Sequence, residues 1–212
     1  MIMTTVINCF LSKIPNISRR LKSILYKPYN RLLFKLVGIK FGCNMNVYNK
    51  IYLNIGHGSI IQIGDNFTFT SGDCLNPLCR NIRGSIVSNS YASIVIGDNV
   101  GMSSTCIRAH SSIKIGNHVK IGGDCILMDS DGHSLDYLNR RNSILDIKTK
   151  KNSPIMIEDD VLIGTRCIIL KGVTIGARSI IGSGSVVTKS IPADCIAAGN
   201  PCKVIKFNKI NE

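Results

Sequence analysis

The fold is decided by residues 157–191, which read IEDDVLIGTRCIILKGVTIGARSIIGSGSVVTKSI. An aliphatic residue returns every six positions, at Ile157, Ile163, Ile169, Ile175, Ile181 and Val187. The residue four positions after each is mostly small or β-branched: Val161, Cys167, Val173, Ser179, Ser185 and Ile191. A period of six fits neither an α-helix nor a long flat strand. It predicts short strands separated by bends, with aliphatic side chains pointing inward and successive coils hydrogen-bonded to one another.

The same pattern continues towards the N-terminus with interruptions. Ile-Gly pairs begin at Ile55, Ile63, Ile96, Ile115, Ile121, Ile163, Ile175 and Ile181, and the last five share one register of six. Between residues 41 and 95 the repeat is imperfect, which predicts an insertion over 73–83. From residue 96 to 128 it is regular, with one extra residue before Ile115. Residues 129–154 leave the pattern, and a stretch that long without repeat structure is usually functional or disordered.

The first 40 residues have a different character. Apolar residues mix there with basic ones, and no Asp or Glu occurs before Asp65. The mixture predicts a helix interrupted near Pro15 and Pro28. Such a helix can cover the exposed end of a solenoid, or it can rest as a basic amphipathic surface on an anionic membrane. Both roles stay open, and the net charge of +13 favours an anionic partner.

The nine cysteines indicate a reducing compartment. Their number is odd, they are scattered, and no C-x-x-C pair occurs, so we interpret them as small core residues rather than a disulfide or metal framework. Neither a signal peptide nor a membrane span is indicated. We therefore expect a cytoplasmic protein, and peripheral contact at the inner face of the membrane through residues 1–40 stays open.

The pattern [LIV]-G-x-x-[STAV]-x over roughly residues 51–206 resembles the hexapeptide-repeat acyltransferases. That resemblance implies an all-β fold, the left-handed parallel β-helix of triangular section; general rules would favour right-handed crossovers. The chain accordingly divides into a basic amphipathic helical cap over residues 1–40, an acyltransferase domain over 41–206 with an extruded loop at 129–154, and a tail over 207–212. The resemblance also implies a homotrimer that uses acetyl-coenzyme A as co-substrate.

Acetyl transfer to a hydroxyl needs a neutral base, and histidine suits that role. Of the four histidines, His133 is the predicted base, because it begins the extruded loop and its segment looks like the family's catalytic motif. Either Asp129 or Asp131 is expected to orient the imidazole. His110 is the second candidate.

The donor site is expected in the C-terminal coils. Residues 197–206 resemble the family's closing motif, which implies that Lys203 and Lys206 face the adenosine phosphates together. The same resemblance implies that Thr165, Ser183 and Thr188 contact the pantetheine arm. Leu162 stands where many relatives have Trp.

These features predict an O-acetyltransferase that acts by direct transfer on a hydroxyl of a sugar or surface-polysaccharide precursor. Two alternatives stay open: an N-acetyltransferase acting on an amino sugar or sugar nucleotide, and a non-catalytic β-solenoid. A zinc carbonic anhydrase on this fold is disfavoured, because the last three histidines lie 8 and 15 residues apart rather than at that family's spacing. We expect no metal. Nucleic acid is not expected either, because there is no aromatic stacking platform or helix-turn-helix pattern.

Overall fold

The computed structural model describes residues 14–207. Its helices are α1 (Ile14–Leu36), α2 (Tyr137–Arg140) and α3 (Ser143–Thr149), with one short 3₁₀ turn at Pro77–Cys79. The first ten strands are β1 (Lys40–Phe41), β2 (Asn46–Tyr48), β3 (Tyr52–Ile55), β4 (Ile60–Ile63), β5 (Thr68–Thr70), β6 (Ser85–Ser88), β7 (Ser93–Ile96), β8 (Gly101–Ser103), β9 (Cys106–Ala109) and β10 (Ser112–Ile115). The remaining strands are β11 (Lys120–Gly123), β12 (Ile126–Met128), β13 (Ile155–Ile157), β14 (Leu162–Ile163), β15 (Ile168–Leu170), β16 (Thr174–Ile175), β17 (Ile180–Ile181), β18 (Val186–Val187), β19 (Cys195–Ala198) and β20 (Lys203–Phe207).

The strands form three sheets, which are the three faces of a prism. Sheet A runs β1-β4-β7-β10-β13-β16, sheet B runs β2-β5-β8-β11-β14-β17-β19-β20, and sheet C runs β3-β6-β9-β12-β15-β18. Up to β18, neighbours in a sheet are three strands apart in the chain, so each coil gives one strand to each face. The pairings between these strands are parallel except that of β19 with β20, which is antiparallel. The predicted fold class, a left-handed parallel β-helix, is confirmed.

The hexads are the repeat unit of this coil. Ile157 pairs with Ile175 and Ile163 pairs with Ile181, so one coil is 18 residues, or three hexads. The inward aliphatic residues of these coils are at most 1% exposed. Ile63 pairs directly with Ile96, which confirms the predicted insertion, since residues 71–84 leave the coil between β5 and β6. Ile96 pairs with Ile115, and the extra residue predicted before Ile115 is accommodated in the intervening bends.

The helix α1 covers the open edge of the first coil. Asn30 is fully buried, and its Nδ2 donates to the carbonyl oxygens of Val47 (3.0 Å) and Asn49 (2.8 Å) at the free edge of β2. Phe34 is fully buried in the core beneath the helix. The expected interruption at Pro28 is wrong, because α1 continues through it. Pro28 lies on the exposed side, where water can solvate the carbonyl that loses its partner.

Candidate active site

Residues 129–154 leave the prism at the corner between sheets C and A, after β12 and before β13. Asp129 fixes the start of this excursion. Its carboxylate is fully buried and accepts hydrogen bonds from the backbone N–H groups of His110 (2.6 Å), Ser111 (2.7 Å) and Ser112 (2.7 Å). Three N–H donors occupy this carboxylate, so its role is to hold the bend of the preceding coil.

Neither predicted aspartate orients His133, and the residue that does so is Asp146 on α3. Its Oδ2 lies 2.6 Å from Nδ1 of His133, and its Oδ1 accepts from the backbone N–H of Ser134 at 2.6 Å. Asp131 instead forms an ion pair with Lys171, with Oδ1 3.3 Å from Nζ. The expectation of Asp129 or Asp131 is therefore corrected, since both carboxylates are engaged elsewhere.

The contact with Asp146 prepares His133 for proton transfer. The hydrogen bond from His133, reinforced by the Ser134 N–H, holds the pKa of Asp146 below its usual value, so the carboxylate is ionised at neutral pH. A carboxylate on Nδ1 favours the tautomer with its proton on Nδ1, which leaves Nε2 with a free lone pair. The His133 side chain is 74% exposed, so an acceptor can reach that nitrogen.

The excursion is held in shape by helix caps and one arginine. Asp136 caps α2 by accepting from the Leu138 N–H at 2.9 Å. Asn142 caps α3 by accepting from the N–H groups of residues 144 and 145. Arg140 donates to the carbonyl oxygens of Ser134 (2.7 Å) and Leu135 (2.9 Å). These bonds tie the end of α2 to the two residues that follow His133. Asp146 is thereby brought back to His133 across 13 residues.

The second candidate base, His110, lies in a different environment. Its Nε2 is 3.2 Å from the Arg108 Nε, and its Nδ1 lies 3.0 Å from the Asn89 amide nitrogen and 3.2 Å from Lys150 Nζ. Burial first, and then the charges of Lys150 and Arg108, lower the pKa of His110. The ring is therefore neutral at pH 7, but both of its nitrogens have protein neighbours, which leaves it less available than His133.

The remaining two histidines lie away from the excursion that carries His133. His118 is exposed at a coil corner with φ of +58°, and His57 stacks edge-on against Tyr91 with the ring centroids 5.9 Å apart. Within residues 14–207, no group of three or more His, Cys, Asp or Glu side chains is arranged to hold a metal ion.

Two of the predicted donor residues line a groove of about 430 Å³ on sheet B. It is lined by Thr68, Thr70, Gly101, Met102, Ser103, Lys120, Ile121, Gly122, Leu162, Ile163, Gly164, Thr165 and Ser183. Thr165 and Ser183 lie one coil apart, and the Thr165 N–H donates to the Ser183 Oγ at 3.2 Å. A Cβ added at Gly164 would lie 2.5 Å from the Ser183 nitrogen, so only glycine allows the coils to stack this closely.

Lys203 and Lys206 lie on the same side of β20 although they are three residues apart. β20 pairs with β19 so that Lys203 is opposite Ala198 and Lys206 is opposite Ile196, with a register shift between them. Ala198 and Ile196 are two residues apart and both point outward, so the bulge brings the two lysines to one face. Ala198 is also the next-coil neighbour of Gly182, and the two lysines on β20 therefore lie at the edge of sheet B beyond the coil that carries Ser183.

Thr188 is separated from this groove. It lines another cavity, of about 260 Å³, together with Met128, Ser130, Asp131, Leu170 and Lys171. Thr165 lies at the corner between sheets B and C, after β14, whereas the excursion that carries His133 leaves from the corner between sheets C and A. The exposed imidazole and the sheet B groove therefore belong to different corners of one prism.

Comparisons with known proteins agree with this architecture. Residues 154–189 match the bacterial transferase hexapeptide family (six repeats). The 2,3,4,5-tetrahydropyridine-2,6-dicarboxylate N-acetyltransferase of Staphylococcus aureus (strain Newman) is 50% identical over 60 residues, which are 28% of this chain and 25% of that protein. The chain thus spans about a quarter of the length of this curated relative.

Two solved structures are similar over most of the chain. A hexapeptide-repeat acetyltransferase from Vibrio cholerae has a TM-score of 0.56 and 26% identity, covering 86% of this chain and 81% of that one. A maltose O-acetyltransferase from Clostridium difficile 630 has a TM-score of 0.52 and 25% identity, covering 96% of this chain and 86% of that one.

Proposed function

Because the chain belongs to the hexapeptide-repeat acyltransferase family, we propose that it transfers an acetyl group from acetyl-coenzyme A to a hydroxyl of a sugar or surface-polysaccharide precursor. The observation that carries this proposal is the exposed His133 imidazole held by the Asp146 carboxylate at 2.6 Å. A histidine oriented in this way is suited to remove a proton from an attacking hydroxyl. The similarity to a maltose O-acetyltransferase supports a sugar acceptor.

The reaction needs no covalent enzyme intermediate. The acceptor oxygen attacks the thioester carbonyl carbon while Nε2 of His133 takes the hydroxyl proton. The carbon–sulfur bond then breaks, and the coenzyme A sulfur leaves with the proton that His133 returns to it. Asp146 stabilises the imidazolium that exists between these two proton transfers, because its carboxylate is already ionised.

The sheet B groove is the proposed donor site. Thr165 and Ser183 offer hydroxyl groups beside Gly122 and Gly164 in this groove, which is proposed to take the narrow pantetheine arm. Lys203 and Lys206 lie on one side of β20 and are proposed to bind the adenosine phosphates. Thr188 is not included in this groove, because it lines the cavity with Asp131 and Lys171.

We further propose that the complete site forms between two copies in a homotrimer. The base lies at the corner between sheets C and A, and the donor groove lies towards the corner between sheets B and C. Flat prism faces can pack around a threefold axis, and such packing can bring the His133 excursion of one copy beside the groove of another.

N-acetylation is the second candidate, and the Staphylococcus aureus relative favours it, since that protein is named as an N-acetyltransferase. The two chemistries share the donor and the base, but an amine acceptor yields an amide and a hydroxyl acceptor yields an ester. His133 can serve either one, because both nucleophiles lose a proton in the reaction.

The test is to incubate the purified chain with acetyl-coenzyme A and matched pairs of sugars and amino sugars, and to measure the release of free thiol. Each acetylated product is then treated with mild alkali, which cleaves an ester but leaves an amide intact. We expect thiol release that depends on the acceptor and a product that alkali cleaves. An alkali-stable product would establish N-acetylation instead. Thiol release no faster than hydrolysis across the acceptor panel would overturn the enzymatic proposal.

A further inference from the structure

The helix α1 has an apolar side that the protein core does not use. Its inner side contacts the first coil through Ser23, Asn30 and Phe34, all of which are buried. Its outer side carries seven large apolar side chains that are 45–74% exposed: Ile17, Leu21, Ile24, Leu25, Tyr29, Leu32 and Leu36. These seven residues are called the outer strip. The arrangement is the reverse of an ordinary surface helix, whose apolar side faces the core.

The outer strip is continuous along the helix. Its members follow one another at one-, three- or four-residue steps, which places them on neighbouring positions of one helical surface. From Ile17 to Leu36 it extends over about 29 Å at the rise of an α-helix. A contiguous apolar surface of this length is rare on a soluble protein and marks a site of interaction.

The charges around the outer strip indicate the partner. Arg20, Arg31 and Lys35 are exposed on the same helix. Within residues 14–36 there are six basic residues and no acidic one, and the first acidic residue of the chain is Asp65. Two copies of such a helix placed side by side would bring like charges together, whereas an anionic lipid surface neutralises them.

We propose that the outer strip lies in the interfacial region of a membrane that contains anionic lipids. The apolar side chains enter the boundary between head groups and acyl chains, and the basic residues contact lipid phosphates or carboxylates. The inner side of α1 meanwhile keeps its contact with the first coil, through Asn30 and Phe34. The solenoid is therefore anchored at its N-terminal end, and this inference does not depend on the acetyl-transfer proposal.

Within residues 14–207, no helix is long and apolar enough to cross a bilayer. The proposed binding is tested as adsorption to the outside of preformed vesicles.

The experiment is flotation of the full chain with vesicles of phosphatidylcholine alone, or of phosphatidylcholine with about 30% phosphatidylserine. We expect binding to the anionic vesicles and at least tenfold weaker binding to the neutral ones at low salt. The combined variant Leu21→Ser, Leu25→Ser, Leu32→Ser should reduce binding to anionic vesicles at least tenfold, because it removes apolar surface from the outer strip while leaving the inner side intact.

Matched controls separate lipid binding from folding and from self-association. The double variant Ile144→Ser, Ile147→Ser removes two equally exposed apolar side chains on α3, at 74% and 67% exposure, and should bind vesicles like the wild type. The variant Arg20→Gln, Lys35→Gln should lose the preference for phosphatidylserine. Circular dichroism and Tm should be unchanged in each of these variants.

Three results would overturn the proposal. The first is wild-type protein that stays unbound with anionic vesicles at low salt. The second is a triple serine variant that floats as well as the wild type. The third is a triple serine variant whose oligomeric mass in light scattering falls while flotation is unaffected, because the outer strip then packs between copies of the chain.

Discussion

The coils over residues 155–187 and the excursion over residues 129–154 are built on opposite principles. In the coils, each inward residue pairs with the residue 18 positions away in the next coil, as Ile157 pairs with Ile175. Hydrogen bonds to the neighbouring coils therefore hold each strand in place. In the excursion, large apolar residues such as Leu135 (72%) and Ile144 (74%) are exposed, and single capping contacts hold the chain. The proposed catalytic histidine nevertheless lies in the excursion. The buried core therefore lies in the repeat, whereas the proposed proton transfer takes place in its interruption.

The comparison is tested most severely at His133. Replacement by alanine should lower kcat by about 10²- to 10⁴-fold, the usual contribution of a general base. Tm should fall only by the small contribution of the contact with Asp146, because the His133 side chain is 74% exposed. Steady-state kinetics and thermal denaturation measure the two effects. His118→Asn is the matched control, since asparagine tolerates the φ of +58° at that corner, and its kcat should be normal. A near-normal kcat for His133→Ala would transfer the role to His110.

A pair of core and excursion substitutions sharpens the contrast in stability. Ile169→Ala, at a fully buried position in β15, should reduce the free energy of unfolding by about 2–5 kcal/mol. Leu138→Ala, at a 54% exposed position in α2, should change it by less than about 0.5 kcal/mol. Denaturant titration of both variants measures the difference. Equal losses would mean that the excursion shares the core of the prism.

Asp146→Asn should lower kcat by at least about 10-fold, because asparagine no longer fixes the tautomer of His133 or stabilises its imidazolium. The pair also has a pH signature. Because folding lowers the pKa of Asp146, its stabilising contribution is full above the ordinary pKa of an aspartate. That contribution is lost as the pH falls through the lowered value. The Tm difference between wild type and Asp146→Asn should therefore shrink at acidic pH, and a difference that stays constant would contradict the ionised pair.

The smallest effect is expected in the donor groove. The double variant Lys203→Gln, Lys206→Gln should raise KM for acetyl-coenzyme A by roughly two- to tenfold, because exposed charge pairs contribute little each. The same variant should lose any preference for acetyl-coenzyme A over its form without the 3′-phosphate. Kinetics with both donors at low and high salt measure this. An unchanged KM and an unchanged preference would remove the lysines from the phosphate site.

The sequence predicts the coils well because their information is periodic. Ile163, Ile169, Ile175 and Ile181 all occupy the inward position of a six-residue repeat. That period alone predicts which way each side chain points, that it is buried and which residue of the next coil it pairs with. The insertion before β6 was also predictable, because it shifts the register of the repeat without ending it. His133 is proposed as the base from its position at the start of the interruption.

The remainder of the site was not predictable, because the excursion has no period. Asp146 reaches His133 only through the turn between α2 and α3, which capping residues determine one at a time. Asp129 and Asp131 are nearer to His133 in sequence, but the Asp129 carboxylate accepts hydrogen bonds from backbone N–H groups and Asp131 forms an ion pair with Lys171. Motif position groups Thr188 with Thr165, although the sheet C face separates their two corners. The bulge that aligns Lys203 with Lys206 likewise has no sequence signal.

In the proposed homotrimer, the base and the donor groove of one active site come from different copies of the chain. Co-expression of differently tagged His133→Ala and Thr165→Trp chains tests it, because the tryptophan fills the groove while the histidine stays intact. Each variant alone should be inactive. Mixed trimers isolated through both tags should recover about one third of wild-type activity, since one of their three interfaces joins an intact histidine to an intact groove. Mixed trimers as inactive as either parent would contradict the claim.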